Sequence, residues 1–254
     1  QASLGKYGLF VPPHVDTDGL FSSPELLPLA LYSDKWQGAW TCLYSSHKDG
    51  RSFNRVVHAI LNFDGPTTTV IKTSAGEVFG FSCITPWKDS NKTYGSSENV
   101  LYTLAPDVRI MRAHPGSKAT DFQWLNEKGF QLPHGFGCGS PETGFRIFIN
   151  EGFDRCIAKA SDLNYEAGAF LGPGTQGEFK LEELQVYGCG GEESISRGMA
   201  GQKQARATQE ENLRRARKVD RAAFAGNAFD REMLLGNTFA HQQQVKDREP
   251  AECT

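Results

Sequence analysis

Hydrophobic residues along the chain recur with two different periods, which separate predicted helix from predicted strand. The helical period is carried by four residues at offsets of zero, three, four and seven: Phe53, Val56, Val57 and Ile60. Beyond residue 65 the period changes to two, and Phe79, Phe81 and Cys83 fall on one face of a short segment. The pattern therefore predicts a helix that packs on the core, followed by a β-hairpin with one buried side.

Further short apolar segments, separated by turn residues, predict an antiparallel sandwich or barrel. The predicted strands cover residues 40–44, 100–104, 109–113, 121–125, 145–150 and 179–187. In the last of them the alternation changes phase at Glu182 and Glu183, which predicts a β-bulge. A short helix is predicted from Ser23, because a capping residue precedes Pro24 there. The expected fold class is mainly β, with a few helices at the ends of the strands.

Glycine is concentrated between His134 and Gly144. A phosphate-binding loop would need glycine, lysine and a hydroxyl residue leading into a helix, whereas a predicted strand follows here. Because glycine also serves positions with positive φ, we expect a cluster of turns or bulges in this segment.

The composition changes near Gly188, and few turn signals occur between there and Gly226. Residues 203–221 contain seven basic and three acidic residues among strong helix formers, which predicts a helix. We infer three segments: an N-terminal loop and helix at residues 1–35, a folded domain at 36–190, and a C-terminal helical tail at 191–254.

The composition is that of a globular protein, with 254 residues of which 39% are hydrophobic. The formal net charge of -3 gives no reason to expect nucleic acid as a partner. No apolar run approaches the roughly 20 residues that cross a bilayer, and residues 1–11 lack the sections of a signal peptide. Six cysteines occur singly rather than in zinc-binding pairs, which favours a reduced, cytosolic environment.

A calcium site is one candidate for chemistry near the N-terminus. Four residues match positions of an EF-hand loop: Asp16, Asp18, Gly19 and Glu25. His14 stands where the first carboxylate belongs, and Pro24 interrupts the loop. A calcium site, a degenerate half EF-hand, and a polar loop with a helix cap therefore all stay open, and we predict no tight calcium binding.

A cysteine nucleophile is the other candidate. The possible partners are Cys42, Cys83, Cys138 and Cys156 on one side, and His47, His58, His114 and His134 on the other. Cys42 and Cys83 lie in strand-like segments, where a buried and inert thiol is usual, and His58 is expected to face solvent. The sequence assigns no catalytic residue, cofactor or metal ligand.

A series of short motifs between residues 36 and 190 resembles, in order, the TLDc domain. The motifs are Trp40 with Leu43-Tyr44-Ser45-Ser46, Gly50-Arg51-Ser52-Phe53, Gly65-Pro66-Thr67 with Val70-Ile71-Lys72, Gly76 to Phe81, Trp87 with Tyr94-Gly95, Glu98 to Leu104, His134 to Gly139, Phe145 to Asn150 and Phe179 to Tyr187. The segment from Leu132 to Gly137 and the tail are most similar to the lysosomal mTOR-associated branch of that family.

This resemblance implies a two-sheet antiparallel TLDc β-sandwich with short peripheral helices and a C-terminal helical tail. It also implies a non-catalytic module that binds the peripheral V1 sector of the vacuolar proton-pumping ATPase, through its catalytic ring, peripheral stalk or central rotor. The expected location is the cytosolic face of lysosomal, vacuolar or other acidic-organelle membranes. The alternatives are a cysteine-dependent enzyme of oxidation resistance and a calcium-responsive adaptor.

The tail is expected to contain the partner-binding residues. Three arginines would meet acidic residues at the rim of a V1 cavity: Arg214, Arg215 and Arg217. Five apolar residues would insert: Phe224, Phe229, Met233, Leu234 and Leu235. Packing of this apolar end on its own sandwich, or on a membrane surface, is the other possibility.

Overall fold

The computed structural model describes residues 12, 13, 15, 20, 21, 23–114, 121–173 and 177–226, with side chains of the last helix as far as residue 218. The strands are β1 (Thr41–Ser45), β2 (Thr67–Thr73), β3 (Val78–Cys83), β4 (Val100–Ala105), β5 (Arg109–Arg112), β6 (Trp124–Asn126), β7 (Gly135–Ser140), β8 (Gly144–Asn150), β9 (Cys156–Ala158), β10 (Glu178–Phe179) and β11 (Leu181–Gly188). The helices are α1 (Leu27–Tyr32), α2 (Ser46–Asp49), α3 (Phe53–Ile60) and α4 (Gly191–Gly226), with single 3₁₀ turns at Ser23–Leu26 and Asp34–Trp36.

Two antiparallel sheets form the fold, as predicted. The first has six strands in the order β1-β11-β2-β3-β4-β5, and the second has five in the order β10-β9-β8-β7-β6. Side chains from the facing sides make one continuous core, in which the Phe136 ring meets Phe81 and Trp87 edge to face at 6.1 and 5.7 Å. The predicted mainly β sandwich is confirmed.

Helix α3 spans the four residues that carried the helical period, and all four are buried. His58 lies on its exposed side, as predicted. The helix predicted from Ser23 also forms, although its first turn is a 3₁₀ turn that continues into α1. Amphipathic spacing placed α3 correctly because α3 has one apolar face to bury, whereas the helix at Ser23 was placed by its capping residue and the proline that follows.

Strand β3 is buried along its whole length, so the prediction of a hairpin with one buried side is wrong. Phe79 and Phe81 face the second sheet, whereas Val78 faces a separate apolar cluster on the other side. That cluster is completed by residues that precede β1: Val15, Leu20, Phe21, Leu26, Leu29, Trp36 and Trp40. The segment before the sandwich therefore covers the outer face of the first sheet.

The predicted strand at residues 179–187 is divided between the two sheets. Phe179 belongs to β10 and pairs with Cys156 of the second sheet, whereas Leu181 begins β11 of the first sheet. The predicted bulge is present, because the register of β11 against β2 shifts between Leu181 and Glu183. The change of phase in the sequence marks this change of sheet as well as the bulge.

Within the glycine-rich segment, residues 135–140 form strand β7 and residues 141–143 form the turn to β8, so the expected turn is present but most of the glycines lie in a strand. A Cβ atom on Gly137 would lie 2.1 Å from the carbonyl oxygen of Ile147 in the neighbouring strand. Gly139 has φ +106° at a register shift between β7 and β8, so the bulge part of the expectation is present. Glycine is needed here because two backbones approach closely within a sheet.

Candidate interaction surfaces

Helix α4 begins on the body of the fold. A Cβ atom on Gly198 would lie 2.4 Å from Cε2 of Phe63, a fully buried ring, so the helix approaches that ring without a side chain between them. Gln202 is also buried and donates its amide to the carbonyl oxygens of Ala59 and Leu61 at the end of α3. The first turns of α4 therefore belong to the compact unit that ends at Lys203.

A second unit begins at Gln204 and includes the remainder of α4. Every side chain from Arg206 to Lys218 is exposed, including Leu213 at 52%. Arg214 and Arg217 are three residues apart and lie on neighbouring positions of one helical face, whereas Arg215 pairs with Glu211 at 2.5 Å. The helix thus places the three predicted arginines in solvent. Phe224 lies within the helix, and Phe229, Met233, Leu234 and Leu235 lie outside the described residues.

The described cysteines divide into one exposed and four buried thiols. Cys42 is exposed, so the expectation that it would be buried is wrong, whereas Cys83 is buried as predicted. Cys138, Cys156 and Cys189 are buried too. Burial raises the pKa of Cys156 to about 12 and raises the pKa of Cys83 and Cys189 as well. These three thiols are therefore protonated and poorly nucleophilic at neutral pH.

The candidate histidines do not supply a base for these buried thiols. His47, His58 and His114 are exposed. His134 uses Nε2 to bond the carbonyl oxygen of Gly129 at 2.9 Å and Nδ1 to bond Glu151 at 3.1 Å. Both partners are acceptors, so they favour the doubly protonated ring and raise the pKa of His134.

The β6–β7 loop that His134 closes is also held by the buried Asn126. The Asn126 amide donates to Gly129, Leu132 and Pro133 and accepts the N–H of Gly129. Phe130, at the tip of this loop, is 100% exposed. The two ends of the loop are therefore held by hydrogen bonds, while its tip exposes an apolar side chain to solvent.

A cleft of about 890 Å³ opens between the β4–β5 turn and residues 169–173. Small and apolar residues line much of it, among them Ala158, Ala160 and Phe170, and the charged side chains of Asp107 and Arg109 line it too. Glu77 also lines it and fixes the far wall, because its carboxylate accepts the N–H of Gly172 at 3.1 Å. Both oxygens of Glu77 have protein donors, since Thr73 bonds the second one.

Arg146 of β8 is buried and stabilises the loop that forms one wall of the cleft. Its guanidinium bonds Asp162 at 3.3 Å and the carbonyl oxygens of Glu166 and Gly168 at 3.1 and 3.0 Å. Asp162 is largely buried as well, and that burial raises its pKa although Arg146 lowers it. The ion pair therefore fixes the loop that follows β9.

Most residues of the calcium candidate lie outside the described part of the chain. Asp16, Asp18, Gly19 and His14 lie outside the described residues, and Glu25 lies in the 3₁₀ turn before α1. Within the described ranges no group of three or more potential metal ligands occurs. The expectation of weak or absent calcium binding stays a prediction.

A profile of the TLDc domain matches residues 23–190 of the chain. The chain belongs to the TLDc-domain family. The ordered motifs of the sequence fall on the elements described above: the segment from Gly76 to Phe81 enters β3, and Phe145 to Asn150 lies in β8. The match also includes α1, which lies before the domain start inferred from the motifs.

Relatives of this TLDc protein include two that are named MTOR-associated protein MEAK7. The one from Xenopus laevis is 29% identical over 156 residues, which are 61% of this chain and 33% of that protein. The one from Danio rerio is 25% identical over 179 residues, 70% of this chain and 39% of that protein. Oxidation resistance protein 1 from Xenopus tropicalis is 36% identical over 73 residues, 29% of this chain and 8% of that protein. The chain thus spans about a third of the length of its mTOR-associated relatives, and the predicted relation to that branch is confirmed.

Within the part of the TLDc protein that the structure describes, no helix is both long and apolar enough to cross a bilayer. Gln185 of β11 is buried and accepts a hydrogen bond from the Tyr187 hydroxyl. A neutral amide fits this position because an ionised carboxylate would be costly to bury there.

Proposed function

We propose that this TLDc protein is a non-catalytic interaction module that binds the V1 sector of the vacuolar proton-pumping ATPase. In this proposal the sandwich docks on the outside of V1, and the tail helix inserts near its catalytic ring, peripheral stalk or central rotor. The expected location is the cytosolic face of the membranes that carry the pump. Family membership and the names of the mTOR-associated relatives support a role in protein binding.

The observation that carries the proposal is the exposed second part of α4. From Gln204 to Gly226 it contains 23 residues and would measure about 35 Å at 1.5 Å per residue. From Arg206 to Lys218 every side chain is exposed, so this stretch of the helix has no buried apolar stripe that joins it to the sandwich core. Arg214 and Arg217 are exposed on this stretch and are available to acidic residues of a partner, whereas Arg215 is exposed but pairs with Glu211.

The chemistry of the described thiols supports a non-catalytic role. A cysteine-dependent activity needs a thiolate and an adjacent base. Burial disfavours the thiolate at Cys83, Cys156 and Cys189, and His134 is engaged by Gly129 and Glu151. The oxidation-resistance alternative would therefore have to rest on Cys42, Cys138 or Cys253, and the replacement of all six cysteines tests it directly.

The apolar end of the tail supplies the first test. Replacement of both Phe229 and Met233 by aspartate should weaken the binding of the full chain to purified V1 by tenfold or more, because apolar anchors dominate such contacts. The matched control replaces Leu31 and Leu163, which are 70% and 76% exposed, by aspartate. The control should bind V1 like the unmodified chain. Equal affinity of both double variants would contradict insertion of the tail.

A further inference from the structure

The exposed stretch of α4 from Arg206 to Lys218 has its charged and uncharged side chains on two different halves of the helix surface. Successive residues of an α-helix are about 100° apart around its axis, so the sequence gives the side on which each residue lies. The charged residues of the stretch all fall on one half: Arg206, Glu210, Glu211, Arg214, Arg215, Arg217 and Lys218. The other half, which we call the neutral half, carries Thr208, Gln209, Asn212, Leu213 and Ala216. Ala207 is the only uncharged residue on the charged half.

The charged half is suited to water. It contains an ion pair of its own, between Glu211 and Arg215 at 2.5 Å. Glu210 stands four residues after Arg206 and four before Arg214, and side chains at that spacing are neighbours on a helix. Burial of this half would remove all of these charges from water, which is costly unless a partner charge meets each one. A partner that covers the helix is therefore expected to leave this half at its rim or in solvent.

The neutral half can be buried at a much lower cost. Leu213 is 52% exposed, and its removal from water is favourable. The Thr208 hydroxyl donates to the carbonyl oxygen of Gln204 at 3.0 Å, so its hydrogen is satisfied inside the helix. Gln209 and Asn212 carry amides that can exchange hydrogen bonds with a partner. The neutral half therefore resembles the centre of a protein interface, which is depleted of charged residues.

We infer that α4 contacts the V1 sector through its neutral half, which lies in a groove with uncharged walls, while the charged half stays at the rim of that groove. This inference rests on the proposed binding of V1 and adds which side of the helix is buried there. Arg217 borders the neutral half on the side of Leu213, so it is placed to meet an acidic residue of the rim. Arg214 lies in the middle of the charged half, farther from the groove.

Charge and composition favour this occupant over a second copy of the helix or a membrane surface. The charged half has five basic residues and two acidic ones, so two helices that met through their neutral halves would bring two positive surfaces together. A groove with acidic residues at its rim is complementary to the same surface. A membrane fits poorly, because Leu213 is the one large apolar side chain of the neutral half and two amides accompany it.

Two alanines of the stretch supply a matched test, since both are exposed but Ala216 lies on the neutral half and Ala207 on the charged half. We expect Ala216→Lys and Ala216→Glu each to weaken the binding of the full chain to purified V1 by about tenfold or more, because a charge of either sign would lose its water in the groove. Ala207→Lys and Ala207→Glu should change the affinity by less than about threefold, because both charges stay in solvent. Lysine and glutamate are good helix formers, so circular dichroism should show the same helix content in all four variants.

Contact through the charged half would give a different result. An acidic partner surface on that half would bind Ala207→Lys more tightly and Ala207→Glu more weakly, with little effect of either change at position 216. That result, or V1 binding that none of the four variants weakens, would overturn the inference and leave the proposed function intact. If the unmodified chain does not bind V1, the proposed function fails and the inference fails with it.

Sedimentation of the chain by itself, and with vesicles of phosphatidylserine and phosphatidylcholine, tests the other two occupants. We expect the chain to stay monomeric and in the supernatant in both cases. A dimer, or binding to the vesicles, that Ala216→Lys abolishes while V1 binding persists would assign the neutral half to that occupant and overturn the inference.

Discussion

The cysteine thiols of this TLDc protein lie in clearly different environments. Cys42 is exposed on edge strand β1, whereas Cys83, Cys138, Cys156 and Cys189 are buried. We predict that iodoacetamide modifies Cys42 in the folded chain at least tenfold faster than any of the four buried thiols, because access and the thiolate fraction both limit alkylation. Peptide mapping by mass spectrometry after short exposures measures the rates. Rapid modification of a buried thiol in the native protein would indicate an activated cysteine and favour the enzyme alternative.

Arg146 is the residue whose loss should most affect stability. Replacement by methionine leaves Asp162 and two carbonyl oxygens buried without their donor, which should lower the free energy of unfolding by about 3 to 5 kcal/mol. Addition of Asp162→Asn should recover part of this loss, because the unpaired buried charge is then removed. Urea unfolding of both variants checks the prediction. Lys72→Met, at an exposed ion pair with Glu182, is the control and should scarcely move the midpoint. A similarly small effect of Arg146→Met would show that the pair does not hold the loop.

At the level of elements, the β6–β7 loop is expected to respond to pH. The carbonyl oxygen of Gly129 and the Glu151 carboxylate raise the pKa of His134 above its ordinary value of 6.5. A raised pKa in the folded state means that the contribution of protonated His134 is fully present below pH 6.5 and is lost as pH rises through the folded pKa.

We therefore predict that amide hydrogen exchange in residues 129–132 accelerates above that pKa by more than the ordinary rise of the intrinsic exchange rate with pH. Glu151→Gln should shift the His134 midpoint to lower pH, because it removes the anionic acceptor at Nδ1. Ring resonances of His134 in a pH titration report the midpoint. A midpoint at or below 6.5 in the unmodified chain would contradict the bidentate arrangement of the ring.

The elements also show how far a sequence pattern predicts this fold. Helix α3 follows from its apolar spacing, because one buried face is all that the pattern has to encode. Strand β7 does not follow, because its glycines are required by the backbone of β8, and no local pattern reports that contact. The same holds for β3, whose second buried face depends on residues that precede β1. Contacts distant in sequence account for each of these differences.

The candidate sites also divide into one that a local sequence pattern predicts and one that depends on contacts distant in sequence. The exposed arginines of α4 could be predicted, since a basic run of helix formers without an apolar stripe stays in solvent. The cleft between the β4–β5 turn and residues 169–173 could not be predicted, because its wall depends on Arg146 of β8 reaching the carbonyl oxygens of residues 166 and 168. The arginine within the apolar strand did indicate that hydrogen-bond acceptors must lie close to it, because a buried guanidinium needs them.

For the whole molecule, the order of the motifs carried more information than any one of them. Separate short motifs are weak, but their sequence from Trp40 to Tyr187 predicted a TLDc sandwich that the family match and the two sheets confirm. The assignment of the tail to V1 binding rests on the exposed helix and stays a proposal. A truncation that separates the tail from the body therefore tests the central claim.

The truncation should fall after Lys203, because Gly198 and Gln202 pack on Phe63 and on the end of α3 and belong to the body. The decisive measurement is the affinity of purified V1 for the full chain and for the chain that ends at Lys203, with the melting temperature of each. We predict that truncation weakens binding by tenfold or more, at least about 1.4 kcal/mol, and leaves the melting temperature within a few degrees. Unchanged affinity together with a sharply lower melting temperature would show instead that the tail stabilises its own sandwich, and would contradict the account.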